Sequence, residues 1–107
     1  MRAGLLRNRI EIQRADVRRD ANGQPSRLWT TIANVWAAVE PLRGAERFEA
    51  HAQHAQISHK VRLRFDPDVA VTTQHRLLFG TRIFHVESVA NLFERDRTLE
   101  LMCREEV

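Results

Sequence analysis

The chain has 107 residues and a mass of 12.5 kDa, room for one domain and too little for a second core. Leu, Ile, Val and Phe make up 29 of the 107 residues, above the ~20% below which disorder becomes the expected state, so most of the chain should be ordered. The net charge is +3, and 16 of the 17 cations are Arg, whose planar fork grips carboxylates and phosphates; the composition fits acidic or nucleic-acid partners and equally a solvated surface.

The N-terminal segment, Met1 to Arg7, lacks the apolar run of a signal peptide. No stretch approaches the ~18 apolar residues of a membrane-spanning helix, so the expectation is a protein made in the cytoplasm with no membrane partner. Arg9-Ile10-Glu11-Ile12-Gln13-Arg14 alternates strictly and predicts a half-buried strand. Asp16 to Ser26 is polar and contains Asn22-Gly23, which predicts a long hairpin loop. Leu28 to Glu40 predicts a second strand. Period two places Trp29, Thr31, Ala33, Val35, Ala37 and Val39 on one face, with Ile32, Trp36 and Ala38 on the other. A strand apolar on both faces is either central or covered by a neighbouring subunit. Pro41 should end it, since proline cannot donate to the ladder.

Residues 44–56 are rich in helix formers, with Ala45, Phe48, Ala52 and Ala55 at helical spacing. A helix docking one narrow face on the sheet is the expectation there. Val61, Leu63 and Phe65 then alternate with Lys60, Arg62 and Arg64, and Asp66-Pro67-Asp68 ends that strand in a turn. Leu77–Phe79 and Arg82–Val89 flank Gly80-Thr81 as a short hairpin. Asn91–Arg97 is a polar turn, and Thr98–Arg104 a closing strand. Alternation puts Cys103 beside Leu99 and Leu101 as a buried thiol, and a lone cysteine excludes an internal disulfide and a cysteine-built metal site. The order β, β, α, β, β, β, β predicts a mainly β domain spanning 1–107. Its architecture should be a small antiparallel barrel or sandwich of about six strands, with one helix inserted between strands two and three.

The chain carries no recognisable catalytic constellation. Its four glycines stand apart at 4, 23, 44 and 80, so there is no phosphate-cradling loop and no nucleophile elbow. Asp66 and Asp68 flank a proline and suit a turn better than paired catalytic carboxylates. His51 and His54 fall at i, i+3 on the expected helix, with His59 or Glu46 in reach, but the spacing is not a zinc signature and no metal or other cofactor is expected. Lys60, Arg62 and Arg64 form a cationic row without an aromatic on the same face for base stacking. The row can meet phosphates or carboxylates, or simply pair with acidic neighbours such as Glu87 or Glu100.

In order and spacing, these segments resemble the head-tail joining proteins of tailed bacteriophages, also called head-closure or stopper proteins. The opening Met1-Arg2-Ala3-Gly4-Leu5-Leu6-Arg7-Asn8-Arg9-Ile10-Glu11-Ile12-Gln13-Arg14 resembles the start of that family. Trp29-Thr30-Thr31-Ile32-Ala33-Asn34-Val35-Trp36-Ala37-Ala38-Val39-Glu40-Pro41-Leu42 is the most specific match, with two Trp and a Pro in register. Ser58-His59-Lys60-Val61-Arg62-Leu63-Arg64-Phe65, Phe79 to Val89, and Glu94-Arg95-Asp96-Arg97 are similar to later family segments; Thr81 stands where the family often has Gly.

The resemblance implies a small β-barrel acting as a structural connector rather than an enzyme. It implies a ring, typically twelve-fold, at the virion neck, stacked below portal and adaptor rings and docking a tail terminator or tail tube protein. It also implies that the segment between the second and third strands, here Arg43 to Ser58, turns toward packaged DNA in the channel. Arg43, Arg47, His51 and His54 are then the channel-facing candidates, and Arg2, Arg7, Trp29, Trp36, Arg62 and Arg64 the ring or neighbour interface candidates. Two alternatives stay open: a small basic β-barrel that binds nucleic acid directly, and a tail-completion ring protein.

Overall fold

The computed structural model describes residues 6–46, 48 and 56–106. Six strands, β1 (Asn8–Arg19), β2 (Pro25–Pro41), β3 (His59–Arg64), β4 (Arg76–Phe79), β5 (Arg82–Asn91) and β6 (Thr98–Glu105), close into an antiparallel barrel in the order β1-β2-β3-β6-β5-β4. A short 3-10 turn, Leu92–Glu94, joins β5 to β6.

The alternation read from the sequence is the alternation that fills the barrel. Ile10 and Ile12, Ala37, Val61 and Leu63, Leu77, Phe84 and Val86, and Leu99, Leu101 and Cys103 all point inward and are buried, with Val71 closing over them from a loop. Phe65 packs against this core as expected. Apolar burial is the main force holding such a barrel together, at roughly 25 cal/mol per Å² removed from water. Burial also pushes the Cys103 thiol up to about 12, with Glu87 adding to the effect, so the thiol stays protonated and inert.

Three local expectations are corrected. The loop expected over Asp16–Ser26 is mostly strand: β1 runs on to Arg19 and β2 begins at Pro25, leaving only residues 20–24 to turn. The turn is tight because Asp20 Oδ1 accepts from the amides of Asn22 and Gln24 at 2.9 and 3.0 Å, and Gly23 supplies the φ of +77° that the reversal needs. The second correction is to the faces of β2. A register shift leaves Ile32 without an opposite residue, Ile12 pairing with Ala33 and Gln13 with Thr31. This bulge turns Trp29 and Thr31 away from the face of Ala33 and Val35 and onto the outer wall. There Trp29 meets Arg76 and His85, whose chain neighbours Leu77, Phe84 and Val86 fill the core.

The third concerns the helix. Gly44–Glu46 and Phe48 have helical backbone, but Ala45 is exposed and Phe48 is 80% exposed, so neither docks on the sheet. The remainder of the expected helix lies outside the described residues.

The barrel's strands are unequal, and this shapes the molecule. β1 pairs with β4 only over Glu11–Gln13, and β2 with β3 only over Ala37–Pro41. Beyond those points, among the described residues, β1 and β2 pair with each other alone, as a two-stranded ribbon that carries the turn at 20–24 away from the barrel. The dimensions of 47 × 31 × 26 Å reflect that projection.

Candidate interface surfaces

The excursion between β2 and β3 is built on a rigid base. Leu42 and Ile57 are buried, and the Leu42 amide donates to the Ser58 carbonyl at 3.0 Å, clamping the two ends together. The Ser58 amide donates to the Cys103 carbonyl at 2.9 Å, which ties the clamp to β6. Arg43 leaves this base exposed, with no ion pair among the described residues. Glu46 is salt-bridged to Lys60 and anchors the start of the excursion to β3. Arg47, His51 and His54, the other channel-facing candidates, lie outside the described residues, as does Arg2.

The cationic row on β3 is largely neutralised within the chain. Lys60 is taken by Glu46, and Arg62 Nε lies 3.0 Å from Glu100 Oε2 on the adjoining strand. Glu87 pairs instead with Arg104, at 3.1 Å. Arg64 is exposed and outside these pairs. The row therefore acts mainly as a cross-strand electrostatic ladder, with Arg64 exposed beyond it.

Arg64 lines an open cleft of about 670 Å³ between β2 and the Arg64–Pro67 segment. Leu6, Val35 and Phe65 give it apolar walls, and Arg9, Asn34 and Asp66 give it polar ones. Trp36 stands at its side, 53% exposed, with the Arg9 guanidinium 5.4 Å from the ring centroid. An indole this open on a monomer is the type of residue that anchors protein interfaces, and the stacked Arg keeps it upright. Arg7 precedes β1 and is exposed.

Trp29 belongs to a different cluster. Arg76 sits 4.1 Å and Arg27 5.9 Å from its ring centroid, and His85 meets it edge-on at 6.3 Å. Arg76 Nε also donates to Gln13 Oε1 at 2.8 Å, pinning the β1–β4 seam. Trp29 thus braces the root of the ribbon as well as contributing to its surface. A neighbouring cluster joins Arg82 to Glu105 by two hydrogen bonds of 2.7 and 3.2 Å. These hold the Glu105 carboxyl below its usual range. His59, beside them and edge-on to Phe84 at 4.9 Å, is held below the usual imidazole value, mainly by burial; Glu105 partly opposes this and Arg82 adds to it.

Sequence reasoning missed Phe93. It is 82% exposed at φ +58°, and Glu94 and Asp96 also adopt positive φ. The turn is held by Asn91, whose side chain donates to Asp96 Oδ1 at 2.7 Å and accepts from the Asp96 amide at 3.1 Å. Arg95 lies 5.4 Å from the Phe93 ring. A bulky residue in the left-handed region is rare, and nothing in the local sequence signals it.

Among the described residues no three His, Cys, Asp or Glu side chains converge as a metal site, and no helix is long and apolar enough to cross a membrane. What the surface offers is contact: an exposed Trp in a cleft, a projecting ribbon, a presented Phe and a clamped excursion.

Comparison with known proteins agrees with that character. The chain is 32% identical over 80 residues to head completion protein gp7 of Enterobacteria phage HK97, covering 75% of this chain and 71% of that protein. The solution structure of protein SF1141 from Shigella flexneri 2a is similar over 100% of this chain and 98% of its own, with 26% identity and a TM-score of 0.78. A chain from the virion of a native gene transfer agent particle shares the fold, with a TM-score of 0.66 and 21% identity over 95% of this chain and 96% of that one. The profile of the phage head completion protein family matches residues 1–106, and the chain belongs to that family of structural head-tail connector proteins.

Proposed function

We propose that this protein assembles as a ring at the neck of a tailed virion, between the portal and adaptor rings and the tail. There it closes the DNA-filled head and presents the surface on which a tail terminator or tail tube protein docks. Its contribution is positional and not catalytic.

The observation that carries this reading is the clamped excursion between β2 and β3. Because Leu42 and Ser58 are hydrogen-bonded at its base and Ile57 is buried there, the segment can reach toward a channel without disturbing the barrel beneath it. Arg43 starts it as an exposed cation, and Arg47, His51 and His54 follow in the sequence; a strand of DNA phosphates is the natural counterpart of such a series. The twelve-fold symmetry expected from the family suits stacking on a portal.

The test is a particle carrying both Arg43→Ala and Arg47→Ala. Heads should still form, but packaged DNA should be lost more readily, read as a fall in nuclease-resistant genomes per head. Normal retention and normal infectivity would remove these residues from the channel. Direct nucleic-acid binding by the free subunit is the less favoured reading, because Glu46 and Glu100 already occupy two cations of the β3 row. It requires affinity for duplex DNA that falls steeply with salt.

A further inference from the structure

We propose that neighbouring copies of this chain join through the β1–β2 ribbon, the free edge of β1 in one copy pairing antiparallel with the free edge of β2 in the next. This rests on the reading of the protein as a ring-forming connector and names the contact that would build the ring.

The ribbon has two open backbone edges, on opposite sides. Past Gln13, β1 has no strand partner but β2 among the described residues, so Arg14–Arg19 present one row of amides and carbonyls outward. Before Ala37, β2 has no strand partner but β1 among the described residues, so the edge through Trp36 is open on the other side. Exposed strand edges are normally guarded by charge, proline or a covering element. The β1 edge is guarded, by Arg14, Asp16, Arg18 and Arg19. The β2 edge is not: Leu28-Trp29-Thr30-Thr31-Ile32-Ala33-Asn34-Val35-Trp36 contains no charge, no Gly and no Pro, and is rich in β-branched and aromatic residues. Such a segment left open is an aggregation hazard, so a strand should cover it in the working protein.

The chain itself supplies the matching strand. Inside one copy Arg14–Asp16 already pairs with Leu28–Thr30, and the side chains agree: Thr30 Oγ1 donates to Asp16 Oδ2 at 2.8 Å. Repeating that pairing between copies places Arg14 beside Thr30 and Arg18 beside Ser26, whose hydroxyls can accept from them. Val17 and Leu28, 68% and 49% exposed, would be covered in the same step. Because the two edges lie on opposite sides of one ribbon, the contact is heterologous, each copy giving one edge and receiving the other. A constant rotation at each step closes such a contact into a ring.

Paired cysteines in assembled particles test this. Arg14→Cys or Arg18→Cys on β1 is combined with Ile32→Cys or Asn34→Cys on β2, and a short bismaleimide is added; the native Cys103 is fully buried and stays silent. The expected result is a ladder of multimers of this chain from at least one double variant, and no ladder from any single variant. Particles that contain the protein but give no ladder in any combination would overturn the pairing. Dimers from a β2 cysteine alone, or links only to another virion protein, would overturn it too.

A second arm uses Leu28→Asp together with Val17→Asp. The free subunit should fold with an unchanged circular dichroism spectrum, because both side chains are already exposed, yet its copy number per particle should fall to background; normal incorporation contradicts the proposal. Deleting the gene separates the two claims. If heads remain normal without the protein, the connector reading fails, whereas tailless heads with no cross-linked ladder leave that reading standing and remove only the ribbon contact.

Discussion

Phe93 is placed at the most exposed point of a turn by a backbone conformation that favours glycine or asparagine. A left-handed bulky residue costs on the order of 1 kcal/mol, and the Arg95 guanidinium lies 5.4 Å from its ring centroid. Phe93→Gly should therefore leave the free subunit as stable or raise its melting temperature by a few degrees, while particles carrying it join tails less efficiently. A destabilised subunit would show that the ring contributes to its own fold. Cys103 gives a second residue-scale expectation. Its thiol titrates near 12 in the folded chain against about 9.0 unfolded, so the folded state holds the proton more tightly. Its contribution is fully present below pH 9 and is lost between pH 9 and 12, by up to about 1.4 kcal/mol per pH unit. The urea midpoint of the parent should drop faster with pH in that window than that of Cys103→Ala. His59 works in the opposite direction. With its folded value depressed, its contribution is present above pH 6.5 and lost as pH falls through the lowered value, so His59→Gln should flatten the acid limb of stability.

At the scale of elements, the ribbon depends on its turn. Asp20 accepts from two amides and Gly23 holds the positive φ, so Asp20→Ala should cost about 1 kcal/mol of net stability. The loss should concentrate in faster amide exchange at Asn22 and Gln24, with core strands unaffected; uniform acceleration across the barrel would mean the ribbon folds as one unit with it. The barrel strands were legible in the sequence because each must bury one face, and period two in Ile10/Ile12, Val61/Leu63 and Leu99/Leu101/Cys103 records that requirement directly. The outer half of the ribbon was not legible. Val17 and Leu28 bury little, so nothing forces a pattern on the residues around them, and polar residues beside Asn22-Gly23 read as loop. The bulge at Ile32 was equally silent, since period two runs through Trp29 to Val39 without a break in residue type and the shift shows only in the pairing with β1. At the start of the expected helix, Ala45 and Phe48 have the right spacing but are exposed; Ala52 and Ala55 lie outside the described residues.

For the whole molecule, the family could be read from the ordered series of short motifs, among them the Trp29–Trp36–Pro41 spacing and the Asn8–Arg14 strand. The site was legible only in part. Trp36 fell with Ile32 and Ala38 on the second apolar face of its strand, whereas the Arg76–Gln13–Trp29 brace depends on contacts between distant segments. The barrel can tolerate little change at its centre: Phe84, fully buried, should cost about 3–5 kcal/mol when cut to Ala, enough to unfold much of a domain this small.

The most direct measurement is electron microscopy of particles made with the gene deleted and then restored. A head-tail connector predicts tailless heads that have lost their DNA, returned to tailed, filled particles by the restored protein. Normal tailed particles from the deletion would contradict the account.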